Sequence, residues 1–300
     1  MAAAYRKLRL ISAGLIASGI LLLAGQNPPP DAALIVQKSV SVNTADWNAQ
    51  PRYLFHERDM KSKVLSNGTV RDRQSKTYEV LLIDGSPYYR LTQLQDEPLS
   101  PEREQQEQRK YEREVSNRRN ESPSERHLRV TKYQDGRAEE HLLMQQMVKA
   151  FDFKFVREEQ IEGVDCYLLE ATPNPDYRPP VEKARVLTGM KGHLWIEKTA
   201  YHWVKVEAQV VDPVSVGFFI AQVKPGTRFE LEQAPVDNVW LPNHFSESVN
   251  ASVFGFYEMR SRSEERYSDY KLINTGHALR GQVETGIAAS GSRLGGSRAH

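Results

Sequence analysis

The chain has one cysteine in 300 residues, Cys166, so it cannot form an internal disulfide and its core must hold without one. It also lacks an excess of either charge: 40 Lys and Arg stand against 39 Asp and Glu, a net of +1. A general nucleic-acid binder needs a basic excess, so nucleic acid is excluded as a partner. No apolar run reaches the roughly 20 residues that span a bilayer as a helix. Catalytic signatures are missing too. There is no His-Glu-x-x-His, no Cys/His cluster, no Gly-x-Ser-x-Gly elbow, no phosphate loop and no dinucleotide fingerprint. The eight histidines include His193 and His202 on neighbouring predicted strands and His127 and His141 in a charged segment, none at metal-ligand spacing. No enzyme activity, cofactor or metal is expected.

What is present begins with an address. Arg6, Lys7 and Arg9 precede the uncharged run Leu10 to Leu23, and Ala24-Gly25-Gln26 leads into Asn27-Pro28-Pro29-Pro30. This is the pattern of a secretory signal peptide over 1–24, with export to the periplasm. An uncleaved signal would leave the chain membrane-associated. Cys166 lies in the apolar run Val164-Asp165-Cys166-Tyr167-Leu168-Leu169 and reads as a buried small side chain.

The remainder divides by periodicity. Asp31 is a good N-cap, and Ala32, Ala33, Val36 and Val40 follow at helical spacing. From Tyr53 the period becomes two. Asn67-Gly68 and Asp84-Gly85 mark turns between long strands, giving an antiparallel meander to Leu94. Pro101 to Glu140 carries ten acidic and ten basic residues, so half of the segment is charged and it should add little to the core. It reads as a charged helical insertion over about 101–149, broken between Asn117 and Ser124. From Phe153 onward the chain reads as a long series of short strands. Ala278 to His300, rich in Gly, Ser and Arg, is expected to be a flexible tail. The expected fold is mainly β with helices (α+β). A strongly curved antiparallel sheet forms an incomplete barrel over 25–277, covered by the N-terminal helix and the charged insertion.

Several strand motifs sharpen this. Glu162-Gly163-Val164-Asp165-Cys166-Tyr167-Leu168-Leu169, Gly192-His193-Leu194-Trp195-Ile196-Glu197, Trp240-Leu241-Pro242 and Tyr267-Ser268-Asp269-Tyr270-Lys271 resemble strands of the LolA/LolB-like superfamily of lipoprotein-localisation factors. That resemblance implies an exported carrier, a monomer, whose half-barrel holds a lipid or lipoprotein acyl chain and which meets lipoprotein-handling proteins of the inner or outer membrane. The charged insertion is larger than in the compact carrier, and the carrier's lid arginine has no defined counterpart here.

Trp195, Trp203, Phe218, Phe219, Trp240 and Phe254 lie on predicted strands of one sheet and are the candidate cavity wall. The alternative is that they are ordinary core packing. The protein would then be a non-catalytic envelope scaffold with a filled core and partner-binding charged helices. A large apolar void would favour the carrier and a filled interior the scaffold. The doublets Glu158-Glu159 and Glu264-Glu265 should not form shared sites, because neighbours in a strand face opposite sides.

Overall fold

The computed structural model describes residues 28–217 and 221–273. The expected signal peptide, the tail, Phe218 and Phe219 lie outside the described residues. Helix α1 (Ala32–Ala49) starts where expected, with the Asp31 carboxylate accepting from the Ala33 and Leu34 amides. Strands β1 (Tyr53–Val64), β2 (Val70–Ile83), β3 (Ser86–Leu94) and the short β4 (Glu97–Pro98) follow as a meander. Helices α2 (Pro101–Arg119) and α3 (Pro123–Ala150) form the insertion, each with proline in its first turn. Ser122 and Glu125 form a capping box at α3, which sets the break between the two helices.

The second meander comprises β5 (Phe151–Ile161), β6 (Val164–Pro173), β7 (Met190–Glu197), β8 (Trp203–Val210), β9 (Val214–Val216), β10 (Ala221–Val223), β11 (Arg228–Val236), β12 (Val239–Val253) and β13 (Tyr257–Leu272). The two meanders form one antiparallel sheet because β1 pairs with β13 over nearly its whole length. The strand order is β4-β3-β2-β1-β13-β12-β11-β8-β7-β6-β5, with β10 beside the far end of β12 and β9 beside β10. The sheet is curved and does not close: β4 and β5 are its edges. The expected incomplete barrel with helices is the observed architecture.

The apolar core fills only one end of the covered face. Ala32, Ile35 and Val36 of α1 pack on Leu169, Leu194, Ile196 and Trp203. Beside them Leu143 and Met147 of α3 lie against Phe151, Ala171, Met190 and Val210. Trp203 Nε1 donates to the fully buried Ser39 hydroxyl (3.0 Å), so the indole's one polar group is satisfied inside the core. At the end of α1, the Asp46 carboxylate binds His202 Nδ1 (2.6 Å) and accepts from the Trp240 amide (3.2 Å). Two polar contacts therefore fasten that helix end to the sheet.

The insertion is attached differently. Arg118, only 7% exposed, is the one buried residue of α2. Its guanidinium donates to the Ile83 and Ser86 carbonyls (both 2.8 Å) and to Pro87 (3.3 Å), and Glu114 accepts from its Nε (2.7 Å). Arg129 adds Glu121 (2.6 Å), the Ser86 hydroxyl (2.6 Å) and the Asp84 carbonyl (3.2 Å). Val130 completes the contact by packing over Gly85, whose φ of +91° suits glycine and where an added Cβ would stand 3.2 Å from a Val130 methyl. The segment thus adds little apolar core, as expected, yet two arginines clamp it onto the β2–β3 turn. Arg118→Ala removes those charge-assisted bonds and strands buried carbonyls, so it should cost about 2–4 kcal/mol. A urea midpoint equal to wild type would show that the clamp carries no stability.

Candidate functional site

Alternation decides where each candidate aromatic goes. Trp203 faces the helices and belongs to the core under α1. Trp195 faces the opposite side of the sheet with Cys166, Leu168 and Val204, and Trp240 packs partly against that second cluster. Trp240 also stacks on His202, with ring centroids 5.5 Å apart. Phe254 sits in the β12–β13 turn, 66% exposed. The described candidates therefore do not line one wall. Cys166 is fully buried, and burial pushes its thiol up to about 11, as a packed and unreactive side chain requires.

At the apolar end of the covered face the packing is tight. Between α3 and the sheet, the void bounded by Met147, Val148, Phe151, Phe153, Leu194, Trp203 and Val206 measures about 20 Å³. That holds about one water, against the roughly 300–1,000 Å³ of a small-molecule site. Toward β1 and β13 the same face becomes acidic. Register sets Asp59 opposite Glu265, with Glu57 two positions along one strand and Glu247 diagonally across on β12. Burial, with Glu265 and Asp59 nearby, pushes the Glu57 carboxyl up to about 7. Burial also raises Glu247 and Glu140 of α3, each with Glu265 contributing. Tyr267 donates to Glu265 (2.5 Å), and both burial and that carboxylate raise its phenol. Phe55, Tyr267 and Tyr270 stand among these carboxylates, with the Phe55 ring centroid 5.9 Å from that of Tyr267 and 5.3 Å from that of Tyr270, and Lys61 binds Asp59 at 2.8 Å.

The face turned away from the helices holds the larger opening, a groove of about 700 Å³ over β6, β7, β8, β11, β12 and β13. Continuous register lays its side chains in three rows across the strands. One row runs His193, Glu207, Glu230, Ser246, Glu264. The next runs Lys191, Gln209, Arg228, Ser248, Arg262. The third runs Trp195, Lys205, Glu232, His244, Arg266. Lys205 is the hub: its ammonium lies 2.6 Å from Glu230, 3.0 Å from Glu207 and 3.2 Å from Glu232. Burial works against that charge, but the three carboxylates outweigh it and raise the lysine; the same contact lowers Glu230. His244 Nδ1 lies 3.4 Å from Glu232, and Arg266 binds Glu264 at 2.7 Å. Lys191, Arg228 and Arg262, in contrast, form no ion pair among the described residues.

Glu230, Glu232 and His244 bring ligand atoms within 4.8 Å of one another, as a metal site would. The Lys205 ammonium already fills that role. Of the other histidines, His202 is engaged by Asp46, and His141 stacks on Trp47 at 5.7 Å. Glu264 faces the groove while Glu265 lies under α3, and Glu158 and Glu159 bind Lys198 and Trp195 separately, as strand alternation requires. Sequence reasoning missed Lys205 and the three rows. The signal was available as period-two polar residues in Lys205-x-Glu207-x-Gln209, Arg228-x-Glu230-x-Glu232 and Arg262-x-Glu264-x-Arg266. What one strand does not reveal is which other strands lie beside it.

No family model and no curated protein matches the chain. Solved structures do. An outer membrane lipoprotein-sorting protein domain from Vibrio parahaemolyticus aligns at a TM-score of 0.33 and 13% identity, over 81% of this chain and 93% of that one. A LolA superfamily protein from Nitrosomonas europaea aligns at 0.29 and 13%, over 82% and 95%. The MucA/MucB complex of Pseudomonas aeruginosa aligns at 0.21 and 10%, over 80% and 94%. The first two carry names from the superfamily that the strand motifs resemble. Superpositions this loose leave the functional reading to the chain's own side chains. Among the described residues, no helix is long and apolar enough to cross a membrane.

Two expectations follow. Lys205→Met leaves three carboxylates without their cation, so the melt at pH 7.5 should fall by about 1–3 kcal/mol, discounted for their partial exposure. Zinc should restore part of that loss through Glu230, Glu232 and His244; an unshifted melt in the absence of zinc would remove Lys205 as the hub. Glu57 titrates near 7 in the fold against an ordinary value of 4.5. Its favourable contribution is therefore complete below about 4.5 and is lost as pH rises through 7. Glu57→Gln should gain about 1–2 kcal/mol at pH 8 and nothing at pH 4, read from denaturation at both values.

Proposed function

We propose that the protein is a non-catalytic, exported interaction protein of the cell envelope, built on a LolA-like curved sheet, whose open groove holds an extended, charged segment of a partner. Export is supported by the basic Arg6, Lys7 and Arg9 ahead of the apolar run Leu10 to Leu23. The observation that carries the binding assignment is a contrast of volumes. The apolar void under the helices holds about 20 Å³, whereas the charged groove on the opposite face holds about 700 Å³.

The groove also suggests the partner's chemistry. In its acidic row Lys205 holds Glu207 and Glu230 and Arg266 holds Glu264, while Lys191, Arg228 and Arg262 lack ion-pair partners among the described residues. An extended chain lying across the strands and bearing carboxylates would meet those three cations at regular spacing. Carriage of an acyl chain in the void between α3 and β5–β8, by contrast, would require α3 to lift off Phe151, Ala171 and Met190 and expose apolar core.

One experiment separates the two. A photo-crosslinking residue at Arg228, introduced in cells, should capture a protein partner, and Lys191→Glu with Arg262→Glu should abolish the adduct. Mass spectrometry of the organic extract of the purified protein should find no stoichiometric lipid. A bound acyl lipid at one per chain, with no groove adduct, would establish the carrier instead.

A further inference from the structure

The β12–β13 hairpin, two of the longest strands in the sheet, ends in an apolar tip that is largely exposed. Val253 pairs with Tyr257, so Phe254-Gly255-Phe256 is a three-residue loop. Phe254, Phe256 and Tyr257 are 66%, 81% and 65% exposed, and Met259 follows them, exposed as well. Phe254 holds a left-handed backbone at φ +52°. That conformation disfavours a bulky side chain, and Asn or Gly would adopt it more easily. An aromatic thus stands where local sterics oppose it and where most of its surface is exposed.

The neighbouring turn adds to the same end of the sheet. Arg260 donates to the Ser66 carbonyl (3.0 Å), which places the β1–β2 turn and its exposed Leu65 and Val70 beside the hairpin. Within four residues of the two turns stand five cations, Lys61, Lys63, Arg71, Arg73 and Arg260, against Asp72 and Glu258. Glu258 is bound by Lys224 (2.6 Å), Asp72 faces Lys63 (3.6 Å) and Asp59 holds Lys61 (2.8 Å), so of the five cations Arg71, Arg73 and Arg260 are without an ion pair among the described residues. The result is protruding aromatics inside a basic collar, on a chain whose net charge is only +1.

We infer that this tip docks on the surface of an anionic lipid bilayer, with the Phe254, Phe256 and Tyr257 rings at headgroup level and the collar against lipid phosphates. Aromatic rings favour that interface, and juxtaposed Lys and Arg bind its negative potential. Three rings offer at most about 500 Å², short of the roughly 800 Å² per partner of a stable protein interface but enough for reversible interfacial binding. The inference does not rest on the proposed binding of a partner in the groove.

Vesicle cosedimentation tests it, using the chain from residue 25, which contains every described element. Binding is expected to vesicles of 30% phosphatidylglycerol in phosphatidylcholine, to weaken with added salt, and to be much weaker on phosphatidylcholine alone. The triple variant Phe254→Asn, Phe256→Ser, Tyr257→Ser should lose at least about tenfold in partitioning with an unchanged melting temperature, since all three rings are exposed. As a positive signal, Phe256→Trp should show a blue-shifted emission on those vesicles, quenched by brominated lipid, beyond any change in the parent chain. Failure of the parent chain to bind, equal binding by the triple variant, or an introduced indole that neither shifts nor quenches would each overturn the inference. So would a dimer in solution that the triple variant abolishes while no vesicles are bound, which would assign the tip to self-association.

Discussion

The pairing of β1 with β13 is the contact on which the rest depends. It joins a strand near the start of the described chain to the one at its end, and without it the two meanders would be separate sheets. Because that ladder keeps register through Asp59 and Glu265, side-chain alternation carries from one meander into the other. Every assignment of a residue to the covered or the open face follows from it. It also sets the acidic strip of Glu57, Asp59, Glu247 and Glu265 under the helices, since a shift of one residue would send those carboxylates to the other face.

Apolar burial and polar clamping divide the work of holding the helices. Around α1 and the end of α3 the contacts are those of an ordinary core, with Leu169, Leu194, Ile196 and Trp203 buried and their one indole donor satisfied. Along α2 and the start of α3 there is almost nothing apolar to bury. Arg118 and Arg129 instead reach carbonyls and a hydroxyl of the β2–β3 turn. A guanidinium can donate in several directions from one plane, so a single side chain reaches several carbonyls of one tight turn. The helical arm is thereby fixed in place while most of its surface stays charged.

The two surfaces available for interaction differ in kind. The groove is concave and polar, and the charges of its acidic row are already partly spent on Lys205. The hairpin tip is convex and aromatic, within a basic collar. A chain that binds a partner segment in one and a lipid surface with the other would hold that partner at a membrane. The two surfaces share the β12–β13 hairpin, whose open-face side chains line the groove and whose loop forms the tip.

Local pattern was enough for much of the architecture. Asp31 as a cap, the turns at Asn67-Gly68 and Asp84-Gly85, the broken charged helices and the strand-rich second half were all legible, since each depends on residues near one another in sequence. Strand alternation likewise foretold that Glu264 and Glu265 would part. The candidate wall was not legible in this way. Trp195 and Trp203 read alike as strand aromatics, yet the β7–β8 register, with its irregularity between Trp195 and Ile196, sends them to opposite faces. The void under α3 and the three charged rows each require five segments to be brought side by side, and the Lys205 hub requires β8 to lie beside β11. Period two says that a strand has two faces; only the tertiary pairing decides which face the helices cover and which charges meet across it.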